Sequence, residues 1–147
     1  MDQKGSTLKP SELEPSEPIR IAAVVIYNQH RQVLSVRKTG TSAFMLPGGK
    51  LEPGETPQAA AIREISEELH FDLKEEEVDF LGHFEAPAAN EPGFFVDCHV
   101  FTAVDLTLND TPEVFEELAE AAFFPLDSTS PKLAPLSKDV FAVLAGT

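Results

Sequence analysis

Six residues suited to divalent-metal chemistry stand at short intervals in one stretch of the chain. They are a glycine, an arginine and four glutamates: Gly49, Glu55, Arg63, Glu64, Glu67 and Glu68. On a helix, Glu64, Glu67 and Glu68 fall on one flank, within about 100° of rotation and roughly one turn of rise. Carboxylates at this spacing repel each other, and the negative end of the helix dipole adds to the cost. A hard cation such as Mg²⁺ or Mn²⁺ relieves that repulsion.

The helix that positions these carboxylates has clear start signals. Thr56 is a favourable N-cap, and Pro57 suits the first helical position, where its missing N–H is not needed. Residues 58–69 contain neither glycine nor proline, so the helix is predicted to continue through them. One flank is apolar and is expected to pack. Ala60 and Ala61 lie towards the acidic flank and are expected to leave space above it.

A glycine-rich loop precedes the helix. Gly48 and Gly49 allow backbone conformations that other residues rarely adopt, and they let the chain approach a ligand closely. Taken alone, such a loop is an ordinary connection, and three glutamates taken alone are an ordinary solvated helix face. The loop and the glutamates at this fixed spacing together indicate a metal site.

This combination resembles the signature of the Nudix family: Gly, five residues, Glu, seven residues, then Arg-Glu-apolar-x-Glu-Glu-x-Gly-apolar. Residues 49–71 match it in register. The resemblance implies an α/β fold, an α/β/α sandwich with a mixed β-sheet. It also implies an enzyme that uses Mg²⁺ or Mn²⁺ to hydrolyse a nucleoside di- or triphosphate linked to another group. The alternative is a catalytically weak or inert Nudix-like sensor that binds a nucleotide.

One position departs from the signature, because His70 replaces its second glycine. In the family that glycine ends the helix in a left-handed conformation, which is cheap only for glycine. A histidine there is expected to cost about 1–2 kcal/mol. The expected outcome is a slightly altered helix end with catalysis intact, and the alternative is a weakened metal site.

The resemblance implies roles for individual residues. The metal ligands are expected to be Gly49, Glu64, Glu67, Glu68 and Glu117. The expected catalytic set is Glu64, Arg63 and Glu67. Glu64 would position or deprotonate the attacking water, and Arg63 would fix the orientation of a neighbouring glutamate. For Glu55, metal contact and support of the loop are equally open.

Some expected contacts lie outside the signature. Glu117 is chosen from several acidic residues ahead of the last strand, and a solvated surface charge is its alternative. Arg37 and Lys50 are expected to meet substrate phosphate and Phe44 to stack on a base, with solvated cations and core packing as the alternatives. Asp97 and His99 share one strand face and are assigned an edge or core role, with a base pocket as the second option. The substrate is expected to be a small nucleotide.

The remaining sequence is interpreted as strands around this helix. Strands are predicted at residues 19–27, 33–38, 44–46, 80–87, 94–106 and 122–126. A short acidic helix or loop is predicted at residues 111–120, and Ser137 is predicted to cap a last helix through Leu144. Residues 1–18 are expected to be a flexible N-terminal tail, followed by a single Nudix domain at residues 19–147.

Composition narrows the classes of partner. The chain has 147 residues and a formal net charge of −14, which disfavours polymeric nucleic acid and anionic membranes as partners. Bound cations still permit a polyphosphate substrate. The single cysteine, Cys98, is expected to be a buried apolar residue. Neither a membrane span nor a signal-peptide core is recognised, so a cytoplasmic location is expected. The resemblance leaves a homodimer open.

Overall fold

A mixed β-sheet with a helix on each face forms the part of the chain that the structure describes. The computed structural model describes residues 17–146. The strands are β1 (Ile19–Asn28), β2 (Val33–Lys38), β3 (Phe44–Met45), β4 (Gly48–Lys50), β5 (Val78–Pro87), β6 (Phe95–Leu108) and β7 (Leu118–Phe124). The helices are α1 (Pro57–Leu69) and α2 (Pro135–Ala145), and a short 3₁₀ turn spans Glu75–Glu77. Apart from its last two residues, the predicted tail at residues 1–18 lies outside the described residues.

The sheet follows the order β3-β2-β1-β6-β5, with β4 also paired to β1 and β7 to β2. The β1–β6 pair is parallel and the other pairs are antiparallel. Helix α1 packs Ile65 and Leu69 into the core on one face of the sheet, and α2 packs Val140 and Phe141 into the core on the other. The predicted α/β/α sandwich with a mixed sheet is therefore confirmed.

Strand β1 is the centre of the fold and has buried side chains on both faces. Its pairing changes along its length. Tyr27 pairs with Val33 of β2, whereas Ile21, Ala22 and Ala23 pair with β4. Strand β2 instead pairs along its whole length with β7. The two halves of the sheet therefore separate beyond the β1–β2 hairpin, and a cleft lies between them.

Several local predictions need correction. Gly48–Lys50 forms β4 and is not only a loop, because its backbone hydrogen-bonds to β1. The last strand begins at Leu118 and not at residue 122, since long-range pairing with β2 overrides its acidic composition. Ser137 is not the cap of the last helix. That helix starts at Pro135 after Ala134, and Ser137 is buried within it.

Helix α1 begins as predicted, with the Thr56 side chain accepting a hydrogen bond from the Ala59 N–H. The predicted space above Ala60 and Ala61 is wrong, since both are fully buried in the core. No helix within residues 17–146 is long and apolar enough to cross a membrane.

The far end of α1 keeps the left-handed conformation that the signature glycine would adopt. His70 has φ 58° and ψ 34°, and its N–H donates to the Ser66 carbonyl. Its ring stacks on Phe115, with 3.5 Å between the ring centroids and 8° between the planes. The ring contact and the hydrogen bond to Ser66 hold His70 in this conformation despite the backbone cost to a residue other than glycine.

We expect substitutions at His70 to separate these two effects. His70→Ala and His70→Gly both lose the ring stack, but only alanine also bears the left-handed strain. His70→Gly should therefore be more stable than His70→Ala by about 1 kcal/mol, as measured by urea denaturation. Equal stability of the two variants would show that the residue is not held in the left-handed conformation.

Candidate functional site

The cleft between the two halves of the sheet holds a cavity of about 340 Å³. Its charged lining comes from five segments and comprises Lys38, Lys50, Glu64, Glu91 and Glu117. Gly48 and Gly49 also face it, and apolar side chains of β1, β6 and the start of α2 complete the wall. The cavity therefore joins a charged area suited to phosphates and metal ions to an apolar area suited to a flat organic group.

The backbone of β4 and the carboxylate of Glu64 are in close contact. A Cβ placed on Gly49 would lie 2.5–2.7 Å from the carboxylate atoms of Glu64. A Cβ on Gly48 would overlap the carbonyl oxygen of Ala22. Gly48 thus allows β4 to pair closely with β1, while Gly49 leaves the space that the Glu64 carboxylate occupies.

Glu68 is the most deeply buried carboxylate of the cluster, with a residue exposure of 4%. It accepts a hydrogen bond of 3.1 Å from the N–H of Gly48. Burial, followed by the charge of Glu64, raises the pKa of Glu68 to about 8. Burial also raises the pKa of Glu64, although the hydrogen bond from Arg63 opposes the rise. Without a compensating cation, these two groups resist being ionised together.

Arg63 links the loop to the helix. Its guanidinium donates twice to Glu55, at 2.8 and 2.9 Å, and once to the Lys50 carbonyl at 3.1 Å. It also donates to Glu64 at 2.9 Å and to Glu67 at 3.3 Å. The hydrogen bonds from Arg63 are the main cause that lowers the pKa of Glu55. This geometry favours loop support over metal contact for Glu55, and it connects Arg63 to three glutamates at once.

Glu67 lies nearer to solvent than its two neighbours. Its side chain is 48% exposed, compared with 15% for Glu64. It does not line the cavity, and its contact is with Arg63. The structure thus brings Glu64 and Glu68 together at β4, while Glu67 stays at the edge of the cluster.

The loop before β7 places Glu117 at the cavity. The Phe115 N–H donates to the Glu68 carbonyl at 2.9 Å, and the Phe115 ring stacks on His70. Two residues later, the Glu117 carboxylate lies 3.3 Å from the ammonium group of Lys38. The end of α1 therefore anchors the loop that carries Glu117, which is the residue chosen from the sequence.

Two of the expected substrate contacts lie elsewhere. Arg37 donates to Glu120 at 2.8 Å, and Phe44 packs edge-on against Phe124 in the core. Their sequence neighbours Lys38 and Met45 line the cavity instead, because successive side chains of a strand point to opposite faces. Of the three residues expected to bind substrate, only Lys50 is placed at the cavity.

Sequence reasoning placed a turn between β5 and β6 but did not assign it to the site. Asn90 and Glu91 line the cavity, and Glu91 Oε2 is buried there without a hydrogen-bond partner. The turn was recognisable from its Asn-Glu-Pro-Gly sequence, but nothing in that pattern indicates which cleft it faces. Asp97 and His99, the second option for a base pocket, are not among the cavity-lining residues.

The donor set fits a hard divalent cation. The cluster offers carboxylate oxygens from Glu64 and Glu68 beside the β4 backbone, and Glu117 adds its charge to both. Oxygen ligands of this kind are preferred by Mg²⁺ and Mn²⁺. Burial is the largest cause of the raised pKa of Glu68, and the charges of Glu64 and Glu117 add to it, so a bound cation would favour the ionised carboxylate.

Comparison with known proteins decides the family. Residues 17–144 match the NUDIX domain. The chain belongs to the Nudix family. Proteins of this family generally use divalent metal ions, in agreement with the carboxylate cluster of this Nudix chain.

Curated relatives match this Nudix chain over part of its length. A putative 8-oxo-dGTP diphosphatase of Bacillus subtilis is 40% identical over 50 residues, which are 34% of each chain. The 8-oxo-dGTP diphosphatase of Escherichia coli is 35% identical over 39% of this chain and 51% of its own. An RNA pyrophosphohydrolase of Tolumonas auensis is 40% identical over 40% of this chain and 32% of its own. The chain thus spans about a third to a half of these relatives.

Solved structures share the fold over nearly the whole chain. A MutT protein from Methanosarcina mazei superposes with a TM-score of 0.72 at 20% identity, covering 89% of this chain and 96% of its own. A MutT NUDIX hydrolase from Burkholderia pseudomallei gives 0.70 at 21%, covering 86% and 98%. These likenesses establish the fold of the Nudix chain.

Gly49→Ala should damage the metal site of this Nudix protein without unfolding it. The three atoms nearest to the new Cβ all belong to the Glu64 side chain, so the clash displaces this carboxylate and leaves the backbone in place. We expect Mn²⁺ affinity, measured by calorimetry, to fall at least about ten-fold, as for other residues that orient metal ligands. Thermal stability should change little.

Two further glycines serve as controls for Gly49→Ala. Gly48→Ala meets the backbone of Ala22 and should lower thermal stability markedly. Gly146→Ala makes only ordinary contacts of 3.6 and 3.7 Å and should change neither property. Unaltered Mn²⁺ binding in Gly49→Ala would contradict the proposed contact between Gly49 and Glu64.

The buried carboxyl of Glu68 predicts a pH dependence of stability in the metal-free protein. Its pKa rises on folding from 4.5 to about 8, so the unfolded chain releases this proton more readily. Stability should fall as the pH rises through that interval, by up to about 1.4 kcal/mol per pH unit. Glu68→Gln should remove this contribution, as measured by urea denaturation in EDTA from pH 5 to pH 8.

Saturating Mg²⁺ provides the matched condition for the Glu68 comparison. A bound divalent ion favours the ionised carboxylate, so it should reduce the difference in pH dependence between wild type and Glu68→Gln. If the stability of metal-free wild type and of metal-free Glu68→Gln depends on pH in the same way, Glu68 is ionised in the folded state.

Proposed function

We propose that this protein is a metal-dependent pyrophosphohydrolase that hydrolyses a nucleoside di- or triphosphate linked to another group. The observation that carries the proposal is the contact of Glu64 and Glu68 with the glycines of β4, beside a cavity of about 340 Å³. The names of the relatives, diphosphatase and pyrophosphohydrolase, support it. Mg²⁺ or Mn²⁺ is the proposed cofactor.

The metal would be held by Glu64, Glu67, Glu68, the Gly49 carbonyl and Glu117. When bound, the ion supplies charge neutralisation on the phosphate oxygens and makes water a stronger nucleophile. Glu64 and Glu68 are the best supported of these ligands, because both carboxylates touch β4. Glu67, at the rim of the cluster, would complete the site when substrate enters.

Glu64 is proposed to position or deprotonate the attacking water. Burial raises the pKa of Glu64, which brings it closer to the range useful for a general base. Arg63 donates to Glu64 Oε2 and thereby fixes the carboxylate while Oε1 has no contact with Arg63. Arg63 itself is held by Glu55 and the Lys50 carbonyl, so its role is to orient Glu64 and Glu67.

The cations of the cavity are proposed to bind phosphate. Lys50 lies on β4 and Lys38 at the end of β2, on either side of the cleft. Lys38 is already paired with Glu117, so an incoming phosphate would compete for it or share it with the carboxylate. Asn90 and Glu91 offer polar contacts to the organic part of the substrate.

A free nucleotide fits the charge of this protein better than polymeric RNA does. The net charge of −14 repels a long phosphate backbone. Relatives named 8-oxo-dGTP diphosphatase and relatives named RNA pyrophosphohydrolase both match the chain, so the preference for a free nucleotide rests on charge. Their matched segments cover at most about half of each relative, so their substrates are not transferred to this chain as facts. We include a small nucleotide substrate, a cytoplasmic location and a homodimer in the proposal.

The second candidate function is a nucleotide sensor without turnover. Its motivation is His70, which replaces a glycine of the signature. The left-handed geometry at His70 shows that the helix end is kept, and the carboxylates remain in place. Both observations favour the enzyme over the sensor.

A substrate panel tests the proposed enzyme. The full chain is incubated with 8-oxo-dGTP, dGTP, a dinucleoside polyphosphate, a sugar nucleotide and 5′-triphosphorylated RNA, with Mg²⁺ or Mn²⁺. Products are identified by mass spectrometry. We expect cleavage of a phosphoric anhydride in at least one free nucleotide, with the label from ¹⁸O-water found on a phosphate product.

Glu64→Gln is the matched variant for the panel. It keeps the size and shape of the side chain, but one acceptor oxygen becomes an NH2 donor and the group cannot take up a proton, so kcat should fall about 10²–10⁴-fold. Nucleotide binding should persist. Full activity in Glu64→Gln would contradict the role of Glu64, and stabilisation of wild type by nucleotides without any turnover would establish the sensor instead.

A further inference from the structure

A second group of metal-ligand side chains lies on the strand pair β5–β6. His83 of β5 and His99 of β6 face each other across the pair, and Asp97 lies two residues before His99. One potential ligand atom from each of the three residues lies within 4.8 Å of the others. His83 Nε2 is hydrogen-bonded to Asp97 Oδ1, and the two imidazole centroids are 4.8 Å apart. The three side chains thus converge without any rearrangement of the backbone.

This cluster is separate from the glutamate site. His99 pairs with Ala22 of β1, and Ala22 pairs on its other side with Gly49. Two strand spacings therefore separate the backbones of His99 and Gly49, or roughly 10 Å. None of the three residues is among those that line the cavity, so the pyrophosphohydrolase proposed above does not use them.

The charges around the cluster favour a cation. Glu85 lies directly opposite Asp97 in the β5–β6 register, and like charges in that position repel. Arg20 neighbours Asp97 on β1 and offsets one of the two carboxylates. Burial lowers the pKa of His99, which favours the neutral imidazole that can act as a ligand.

We propose that His83, Asp97 and His99 form a binding site for a transition-metal ion of the Zn²⁺ class. Two imidazoles and one carboxylate suit Zn²⁺ far better than Mg²⁺. The ion would take the place of the proton between His83 Nε2 and Asp97, and His83 would then carry its hydrogen on Nδ1. Water would complete the coordination, since His83 is largely open to solvent.

Such an ion would stabilise the edge of the sheet by linking β5 to β6. Strand β5 lies at one end of the strand order, and it leads directly into the turn whose residues Asn90 and Glu91 line the cavity. A metal bridge between β5 and β6 would therefore stabilise the base of this turn. The proposed role is structural support, and it does not depend on the reaction at the glutamates.

Direct ion binding tests the site. Tag-free full-length protein is stripped of metal and titrated with Zn²⁺ by calorimetry in excess Mg²⁺, which occupies the glutamate cluster. We expect one equivalent of Zn²⁺ to bind and the melting temperature to rise. The double variant His83→Asn/His99→Asn should lose at least about ten-fold in Zn²⁺ affinity and should no longer be stabilised by Zn²⁺.

Three variants make the result specific. His30→Asn removes a histidine from the exposed β1–β2 turn and should bind Zn²⁺ as wild type does. Asp97→Asn should weaken binding without loss of either histidine, which guards against misfolding of the double variant. Glu64→Gln should bind Zn²⁺ normally. Absence of Zn²⁺ binding by wild type, equal affinity in the double variant, or loss of binding in Glu64→Gln would each overturn the proposal.

Discussion

The rest of the site depends on two carboxylates being held against a glycine backbone where little water reaches them. Glu64 fills the space that a side chain at position 49 would take, and Glu68 accepts the N–H of Gly48. Burial of two like charges is unfavourable without a cation, and Arg63 is committed mainly to Glu55. The folded site therefore holds negative charge that the protein does not fully compensate. A divalent ion with its bound phosphates is suited to compensate it.

Helix α1 connects these two carboxylates to the rest of the molecule. Its apolar flank fixes the helix on the sheet, and Arg63 ties its middle to the loop that carries Glu55. Its end anchors the loop of Glu117 through the His70–Phe115 stack and the hydrogen bond to the Glu68 carbonyl. One helix thus sets the positions of acidic residues that are far apart in sequence, and the histidine that departs from the signature takes part in that anchoring.

Local physics made α1 predictable, whereas long-range pairing did not follow from the sequence. The Thr56 cap and the helical spacing of the glutamates are properties of short segments. The altered helix end expected at His70 was wrong, because His70 keeps the left-handed conformation. The assignment of Gly48–Lys50 to a strand depends on its pairing with β1, and glycines carry no side-chain pattern. Phe44 was expected to stack on a base, but it packs in the core while its neighbour Met45 lines the cavity, because alternation along a strand places the two on opposite faces. The convergence of His83 with His99 likewise requires the β5–β6 register.

The most direct test of the central claim is a crystal structure with Mn²⁺ and a non-hydrolysable nucleotide, examined by anomalous scattering at the manganese edge. The account predicts a manganese peak in contact with the carboxylates of Glu64 and Glu68 and beside the Gly49 carbonyl, with nucleotide phosphates completing the coordination. Ordered phosphates in the cavity without manganese at these carboxylates would contradict it.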